Sequence, residues 1–141
     1  MTVTKMFSFE MGHRLSNYEG KCRRFHGHSY RLEIAVGGEQ DTNGIVIDFN
    51  YLKAMFERLI DNKFDHKMML KIGDPINEEL RDLKINESIV WVSFNPTAEN
   101  IVKHLFTILE KHIVQYDPVL KLHVTHVRLY ETRTSYTDIY A

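Results

Sequence analysis

The sequence predicts an α+β fold in which a four-stranded antiparallel sheet carries two helices on one face. The chain begins with two stretches of alternating apolar residues, continues with two amphipathic helical stretches, and ends with two further alternating stretches. Strands that follow one another directly tend to pair as hairpins, and amphipathic helices need an apolar sheet face to cover. Because an open four-stranded sheet leaves two unpaired edges, we expect the protein to form an oligomer.

Two strands are predicted at the start of the chain, at residues 3–13 and from His26 to residue 36, because their apolar residues alternate with a period of two. One face of the first strand carries Val3, Phe7, Phe9, Met11 and His13. One face of the second strand carries His28, Tyr30, Leu32, Ile34 and Val36. A hairpin formed by these strands would join the two faces.

Two helices are predicted in the middle of the chain. Asp48 is the expected N-cap of an amphipathic helix that runs to about Lys63. The second helix begins at Asn95-Pro96-Thr97, since proline is favoured at the first turn, and ends before Asp117.

The remaining segments are a loop and three strands. Residues 67–87 are polar and weakly periodic, so a loop with a short helical turn is expected there. A short strand is expected at 88–94. The last two strands are expected at about 119–131 and 134–140, joined by a tight turn.

Composition limits the class of protein. A chain of 141 residues is expected to form one domain, residues 1–141. Lys and Arg total 18 against 19 Asp and Glu, so there is no basic excess to favour nucleic acid or a membrane surface. No apolar stretch is long enough to span a membrane, and the alternating N-terminus does not resemble a signal peptide. The single cysteine excludes an intramolecular disulfide and favours a reducing cytoplasmic location.

Three histidines form the strongest candidate site. His26 and His28 are two residues apart on a predicted strand, so their side chains lie on one face. His13 ends the preceding strand with the matching parity. In a hairpin the three imidazoles converge at one end of the face, and three imidazoles with an open fourth position are typical of catalytic zinc. The alternative is that the histidine pair is a surface feature or a packed core contact.

Cys22 is the candidate catalytic group nearest to this cluster. It lies in the loop between the first two strands, flanked by Lys21, Arg23 and Arg24. Positive neighbours favour the thiolate form, which could remove a carbon-bound proton or act as a nucleophile. The alternative is a passive, small apolar side chain.

Two carboxylates complete the candidate set. Asp65 precedes His66 after the first helix and could fix the tautomer of that imidazole and raise its basicity, although such a pair is often only a helix-end feature. Glu131 ends the penultimate strand and could pair with a guanidine-like edge of a ligand through two parallel hydrogen bonds. A solvated turn residue is the alternative for Glu131.

Six segments together resemble the family of 6-pyruvoyl-tetrahydropterin synthase and 6-carboxytetrahydropterin synthase, over almost the whole chain. Their order and spacing are more specific than any one of them. They are Phe9-Glu10-Met11-Gly12-His13, Cys22-Arg-Arg-Phe-His26-Gly27-His28, Gly44-Ile-Val-Ile-Asp48-Phe49, Asp65-His66, Pro96-Thr97-Ala98-Glu99-Asn100 and Glu131-Thr132.

The resemblance implies a tunnelling fold, in which trimers form a barrel and two trimers stack into a hexamer. It implies zinc bound by His13, His26 and His28. It also implies that Cys22 is the proton-abstracting base, that Asp65 and His66 complete a proton relay, and that Glu131 anchors a pterin ring, with Thr97 as a further substrate-binding candidate. Sites of this family lie between subunits, which allows Cys22 and Glu131 to serve one site from different chains.

The spacing within the cysteine motif points to one branch of the family. Three residues separate Cys22 from His26, as in the bacterial 6-carboxytetrahydropterin synthases of queuosine synthesis, whereas the animal-type pyruvoyl enzymes have a longer gap. The implied reaction converts 7,8-dihydroneopterin triphosphate to 6-carboxy-5,6,7,8-tetrahydropterin, acetaldehyde and triphosphate. The alternatives are formation of 6-pyruvoyl-tetrahydropterin, side-chain cleavage of sepiapterin-like pterins, and a non-catalytic zinc- or pterin-binding role. Residues 67–94 are longer than in compact members, which could reshape the mouth of the site.

Overall fold

A computed structural model describes all 141 residues, and its six strands form one sheet. The strands are β1 (Thr2–His13), β2 (His26–Gly37), β3 (Lys67–Lys71), β4 (Ile89–Val92), β5 (His123–Tyr130) and β6 (Tyr136–Tyr140). Their order is β4-β3-β1-β2-β5-β6. The pairs β1–β2, β2–β5 and β5–β6 are antiparallel, whereas β3 runs parallel to both β1 and β4.

The expectation of a four-stranded sheet is wrong, because β3 and β4 extend it along β1. The predicted loop at 67–87 begins with strand β3, and the predicted short strand at 88–94 is β4 of the same sheet. β3 has five residues and pairs with β1 only over residues 11–13. So short a parallel pairing leaves neither a hairpin turn nor a clear alternation in the sequence.

Two long helical segments are found where they were predicted. α1 (Phe49–Phe56) is capped by the Asp48 carboxylate, which accepts from the amide of Asn50. It continues through a π-helical turn (Glu57–Asp61) into α2 (Asn62–Phe64). The short α3 (Asn77–Leu80) lies between β3 and β4, and α4 (Ala98–Ile113) follows Thr97, its N-cap.

The two faces of the sheet differ in what covers them. On the helix-covered face, which carries Phe7, Phe9, Met11 and His13 of β1, apolar side chains pack against α1 and α4 in one core. The rings of Phe7 and Phe56 stack with their centroids 4.3 Å apart. On the open face, Ser8 and Glu10 alternate with these residues and are exposed. The prediction of an α+β fold with both helices on one face is confirmed.

The last two strands are shorter than predicted. Residues 119–121 form a turn, because the Asp117 carboxylate accepts from the amide of Val119 and Val119 itself is 76% exposed. An Asp-Pro start of this kind competes with strand extension. No helix of the protein has both the length and the apolar character needed to cross a bilayer.

Candidate metal centre and active site

The three predicted histidines meet at one end of the helix-covered face. His13, the last residue of β1, lies directly opposite His26, the first residue of β2, and Met11 lies opposite His28. The ring centroids are 4.5 Å apart for His13 and His26, 5.1 Å for His13 and His28, and 5.2 Å for His26 and His28. One potential ligand nitrogen from each ring lies within 4.8 Å of the others.

Backbone carbonyls fix the tautomers of two of these rings. His13 Nδ1 lies 2.7 Å from the carbonyl oxygen of Pro96, and His26 Nδ1 lies 2.8 Å from that of Arg24. A carbonyl oxygen only accepts, so each Nδ1 carries the proton and donates it. The Nε2 atoms of these neutral rings therefore carry lone pairs, which is the arrangement found in metal-binding histidines.

The site fits a divalent cation because it holds a buried donor atom without a partner. His13 Nε2 is buried and has no hydrogen-bond partner, and the nearest charged atom is Glu131 Oε1 at 3.4 Å. The same oxygen lies 3.6 Å from His28 Nε2. A lone pair facing a carboxylate is unfavourable unless a proton or a cation lies between them. Burial lowers the pKa of both His13 and His28, so protonation of the rings is disfavoured. A bound cation is then the arrangement that suits these nitrogens and the carboxylate.

Tyr30 forms the floor beneath the histidines, a feature that the sequence did not reveal. Its side chain is fully buried, and its hydroxyl lies 3.5 Å from His13 Nδ1. Burial raises the pKa of Tyr30, so the phenol stays neutral. The ring packs edge-on against both His13 and His28 and supports their orientation.

A cavity of about 380 Å³ opens beside His13 and contains three further predicted residues. Cys22, Thr97 and Glu131 all line it. One chain brings Cys22 and Glu131 to the same cavity, so this pair can meet without the two-chain arrangement that the resemblance allows. The Thr97 hydroxyl accepts from the amide of Asn100 at 3.3 Å, so it caps α4 as well as lining the cavity.

Cys22 reaches this cavity from a short 3₁₀ turn, Lys21–Arg23. The amide of Leu15 donates to the carbonyl oxygen of Cys22 at 2.9 Å and ties the turn to the residues that follow β1. The thiol is partly exposed. It therefore stands at the wall of the cavity rather than in the apolar core.

Glu99 also lines the cavity and was not predicted from the sequence to be a site residue. It is exposed on the first turn of α4, two residues after Thr97. Its place in that turn could have identified Glu99 as a site residue, since residues near an N-cap lie at the same end of the helix as the cap. Ser135, Tyr136 and Thr137 complete this wall from the start of β6.

Asp65 and His66 lie apart from this cavity, at the open face. Asp65 Oδ2 lies 2.5 Å from His66 Nδ1, and Asp65 Oδ1 accepts from the amide of Glu10 at 2.7 Å. His66 adopts a left-handed backbone conformation, with φ of 58°, and its amide donates to the carbonyl oxygen of Glu10. His66 lines a second cavity of about 460 Å³ that shares no residue with the cavity of Cys22.

The Asp65–His66 pair favours a protonated imidazole. The hydrogen bond to Asp65 raises the pKa of His66, and the negative charge of Asp65 adds to the effect. Partial burial disfavours ionisation of Asp65, but the bonds from Glu10 and His66 outweigh it and lower the pKa of Asp65. The imidazole is thus suited to hold and deliver a proton.

The fold and the site together define an α+β protein in which three histidines able to hold a metal ion lie beside a thiol and a carboxylate. The model of the 6-pyruvoyl tetrahydropterin synthase family matches residues 2–141 of the chain. Two relatives named 6-carboxy-5,6,7,8-tetrahydropterin synthase are similar over nearly their full length. The protein of Rickettsia conorii is 35% identical over 138 residues, with 96% of this chain and 97% of the relative covered. That of Haemophilus influenzae is 33% identical over 142 residues, with 96% of each covered.

Solved structures agree with these relatives. An uncharacterised protein from Wolinella succinogenes is 26% identical with a TM-score of 0.85, covering 99% of this chain and 97% of that one. The 6-pyruvoyl tetrahydropterin synthase of Caenorhabditis elegans, 23% identical with a TM-score of 0.71 over 100% and 95%, shares the fold. The chain belongs to the 6-pyruvoyl tetrahydropterin synthase family and has its tunnelling fold. It is an enzyme, a lyase resembling 6-carboxytetrahydropterin synthase.

Proposed function

We propose that this protein is a zinc-dependent 6-carboxy-5,6,7,8-tetrahydropterin synthase. In this proposal residues 1–141 form one catalytic domain that converts 7,8-dihydroneopterin triphosphate and water to 6-carboxy-5,6,7,8-tetrahydropterin, with release of acetaldehyde and triphosphate. The reaction would serve 7-deazaguanine and queuosine synthesis in the cytoplasm. Relatives of 31–35% identity bear the name of this enzyme, and the three-residue gap between Cys22 and His26 is the spacing that the family resemblance associates with it.

One observation carries the proposal, namely the unpartnered Nε2 atom of His13 in a cluster of three histidines beside Cys22 and Glu131. Nitrogen donors from His13, His26 and His28 suit zinc and leave a position open for substrate. Zinc bound there would supply Lewis-acid chemistry at the hydroxyl groups of the substrate side chain.

The residues around the metal centre have separate roles in the proposal. Cys22, as the thiolate, removes a proton from a side-chain carbon of the substrate. Glu131 accepts hydrogen bonds from the guanidine-like edge of the pterin, and Thr97 lines the same cavity and contacts the ring. Glu99 offers a second carboxylate at the mouth of the cavity.

Asp65 and His66 complete the proposed site from another subunit. In one chain His66 lines a cavity with His28 but not the cavity of Cys22, so in this proposal a neighbouring chain brings its His66 to the cavity of Cys22. This requirement, together with the free edges of β4 and β6, supports the proposed hexamer of two trimeric barrels. His66, held protonated by Asp65, then delivers a proton to a substrate oxygen.

Two alternatives remain distinct from this proposal. The same residues could release triphosphate and form 6-pyruvoyl-tetrahydropterin without carbon–carbon cleavage, as the family description favours. A non-catalytic zinc- or pterin-binding module would keep the metal and the affinity for pterin but show no turnover.

Product identification separates the three functions. The purified protein is incubated with 7,8-dihydroneopterin triphosphate, and the products are identified by mass spectrometry with a separate assay for acetaldehyde. We expect 6-carboxy-5,6,7,8-tetrahydropterin and acetaldehyde in equal amounts. A pyruvoyl product without acetaldehyde would overturn the assignment in favour of the first alternative, and pterin binding without turnover would favour the second.

Metal analysis tests the proposed cofactor independently of the product. We expect one zinc per chain in the purified protein, lost after substitution of His26 and His28 by alanine. Chelation followed by addition of zinc should restore activity. Restoration by another divalent ion alone would contradict the zinc assignment and leave the proposed reaction unaffected.

A further inference from the structure

The segment Asn95-Pro96-Thr97 does more than start α4. Thr97 already caps the helix, whereas the side chain of Asn95 faces the residues that follow β1. Asn95 Oδ1 accepts from the amide of Ser16 at 3.0 Å and from its hydroxyl at 3.3 Å, and Asn95 Nδ2 donates to the carbonyl oxygen of Ser16 at 3.4 Å. Ser16 is 5% exposed, so these bonds lie largely out of water.

These bonds complete a closed path of contacts that begins and ends at the proposed metal ligand His13. Ser16 lies three residues after His13, Asn95 holds Ser16, and the next carbonyl group, that of Pro96, accepts from His13 Nδ1. Each step of this path is either a short stretch of backbone or a hydrogen bond. The position of the Pro96 carbonyl relative to the imidazole therefore depends on the side chain of Asn95.

Two further bonds keep the Pro96 carbonyl pointing in one direction. The amide of Thr97 donates to the carbonyl oxygen of Asn95 at 2.8 Å, which forms a three-residue turn centred on Pro96. The proline ring restricts φ to a value that such a turn needs. Asn100 Nδ2 donates to the same oxygen at 3.0 Å and holds the turn from the helix side.

His13 differs in this respect from the ligand opposite to it. The carbonyl partner of His26 belongs to Arg24, two residues away in the same loop, so no distant segment is needed to orient that ring. The carbonyl partner of His13 lies 83 residues away in the sequence. The orientation of His13 is therefore the one that a distant side chain can control.

We propose that Asn95 is a positioning residue of the metal centre. By fastening the Pro96 carbonyl against His13, it holds the imidazole in the tautomer and orientation that present Nε2 to the cation. The inference rests on the proposed function only in assuming that the histidines bind zinc. An alternative in which Asn95 merely stabilises the start of α4 predicts a different outcome of the same experiment.

The test compares zinc affinity with stability in the full-length protein. Asn95→Leu keeps the side-chain size and removes all three bonds to Ser16. Removing a group that supports a metal ligand typically weakens metal affinity by about 10- to 100-fold, and we expect a loss in this range when zinc is titrated against a competing chelator. Thermal unfolding of the metal-free protein measures any structural effect separately, and the absorption spectrum of the cobalt-loaded protein should change with the ligand geometry.

Three variants serve as controls for this comparison. Asn50→Ala alters the first turn of α1, where the side chain is exposed, and should leave zinc affinity unchanged. Asn95→Asp keeps the acceptor for Ser16 and should recover part of the affinity. Ser16→Ala removes only the hydroxyl bond, so it should fold normally and weaken zinc binding less than Asn95→Leu does.

The outcomes separate the two proposals. If wild-type protein binds zinc and Asn95→Leu binds it equally well, Asn95 is only structural and the inference is overturned while the zinc site stands. If wild-type protein does not bind zinc, both proposals fail. Should Asn95→Leu not fold, Ser16→Ala decides, because unchanged affinity and an unchanged cobalt spectrum in that variant would overturn the inference.

Discussion

Two histidines lie beside carboxylates on different faces of the sheet, and they differ in burial and in the number of segments that hold them. The side chain of His13 is 2% exposed, and segments from distant parts of the chain hold it. The side chain of His66 is 79% exposed, and only Asp65 holds its ring. A single chain already encloses His13 and can position it to bind a ligand. His66 is exposed, so a second surface would be needed to exclude water from it. In the proposed function, this difference means that one chain supplies all three metal ligands, whereas the relay needs a second chain to enclose it.

The two imidazole rings also differ in protonation, since the buried ring favours the neutral form and the exposed ring favours the protonated form. Burial lowers the pKa of His13, which keeps the ring neutral as a metal ligand must be. The hydrogen bond to Asp65 raises the pKa of His66, which keeps a proton available for transfer. In the proposed function, the same type of side chain therefore serves as a metal ligand on one face and as an acid on the other.

The largest effect is expected on the side of the metal centre, at Cys22. Cys22→Ala should lower kcat by about 10³-fold or more, because removal of the base leaves only binding and metal chemistry. Cys22→Ser should be nearly as inactive, since a hydroxyl forms far less of the anion. Steady-state turnover and zinc content are the measurements.

Zinc content should stay at the wild-type level in both cysteine variants, because Cys22 is not among the three potential ligands. A rate near that of the wild type would show that another group removes the proton.

Mixing two inactive variants tests whether the faces of different chains meet. His66→Asn suits the left-handed backbone, which asparagine tolerates, and should be inactive like Cys22→Ala. After the two are unfolded and refolded together, random assembly should restore about a quarter of the sites, because each site takes Cys22 and His66 from different chains. Activity is measured against each variant refolded alone.

Sedimentation of the mixture should give a particle near the mass of six chains of 16.7 kDa, about 100 kDa. A mixture that stays inactive while forming this particle would contradict a site shared between chains.

A buried ion pair connects the two regions and should affect stability more than chemistry. Asp74 follows β3, the strand that starts next to His66, and its fully buried carboxylate lies 3.0 Å from Nε of Arg14, the residue after His13. Asp74→Ala should lower the free energy of unfolding by about 3 kcal/mol, because Arg14 loses its partner in a largely buried place. Urea unfolding of the metal-free protein measures the loss.

An exposed ion pair provides the comparison. Glu39→Ala breaks the contact with Lys121, whose side chain is 73% exposed, and should change stability little. Equal effects of the two substitutions would mean that burial does not distinguish them.

The smallest effect is expected for the relay, where Asp65→Asn alters the proton rather than removing the imidazole. The raised pKa of His66 keeps its proton to higher pH, so loss of Asp65 should move the alkaline limb of the pH–rate profile to lower pH. Profiles of kcat over pH 5–10 are the measurement.

Asp61 raises the pKa of His66 only through its negative charge, and by less than Asp65 does. Asp61→Asn should therefore shift the limb less than Asp65→Asn does. An unchanged limb in Asp65→Asn would exclude His66 as the group that titrates there.

The sequence predicted the parts of the site that depend on strand alternation. Parity places His13, His26 and His28 on one face, and the hairpin expected of two consecutive strands brings them together. The capping rule located the start of the first long helix at Asp48, and the proline of Asn95-Pro96-Thr97 located the start of the second, whose N-cap is Thr97.

What the sequence did not reveal depends on partners far apart in the chain. β3 is held by three residues of β1, and the carbonyl of Pro96 reaches His13 across 83 positions. Neither contact leaves a local pattern, because a backbone carbonyl is the same in every residue. The separation of His66 from Cys22 also depends on the two faces of the sheet, which spacing alone does not assign.

The π-helical turn between α1 and α2 determines where the relay begins. Such a turn contains one residue more than a regular turn, so it rotates everything after it by about 100°. That rotation directs Phe64 into the core and lets the next residue, Asp65, reach the amide of Glu10. Deleting a single residue within 57–61 would favour an unbroken helix and leave the relay out of register with β1, so the length of this turn sets the placement of half of the proposed site.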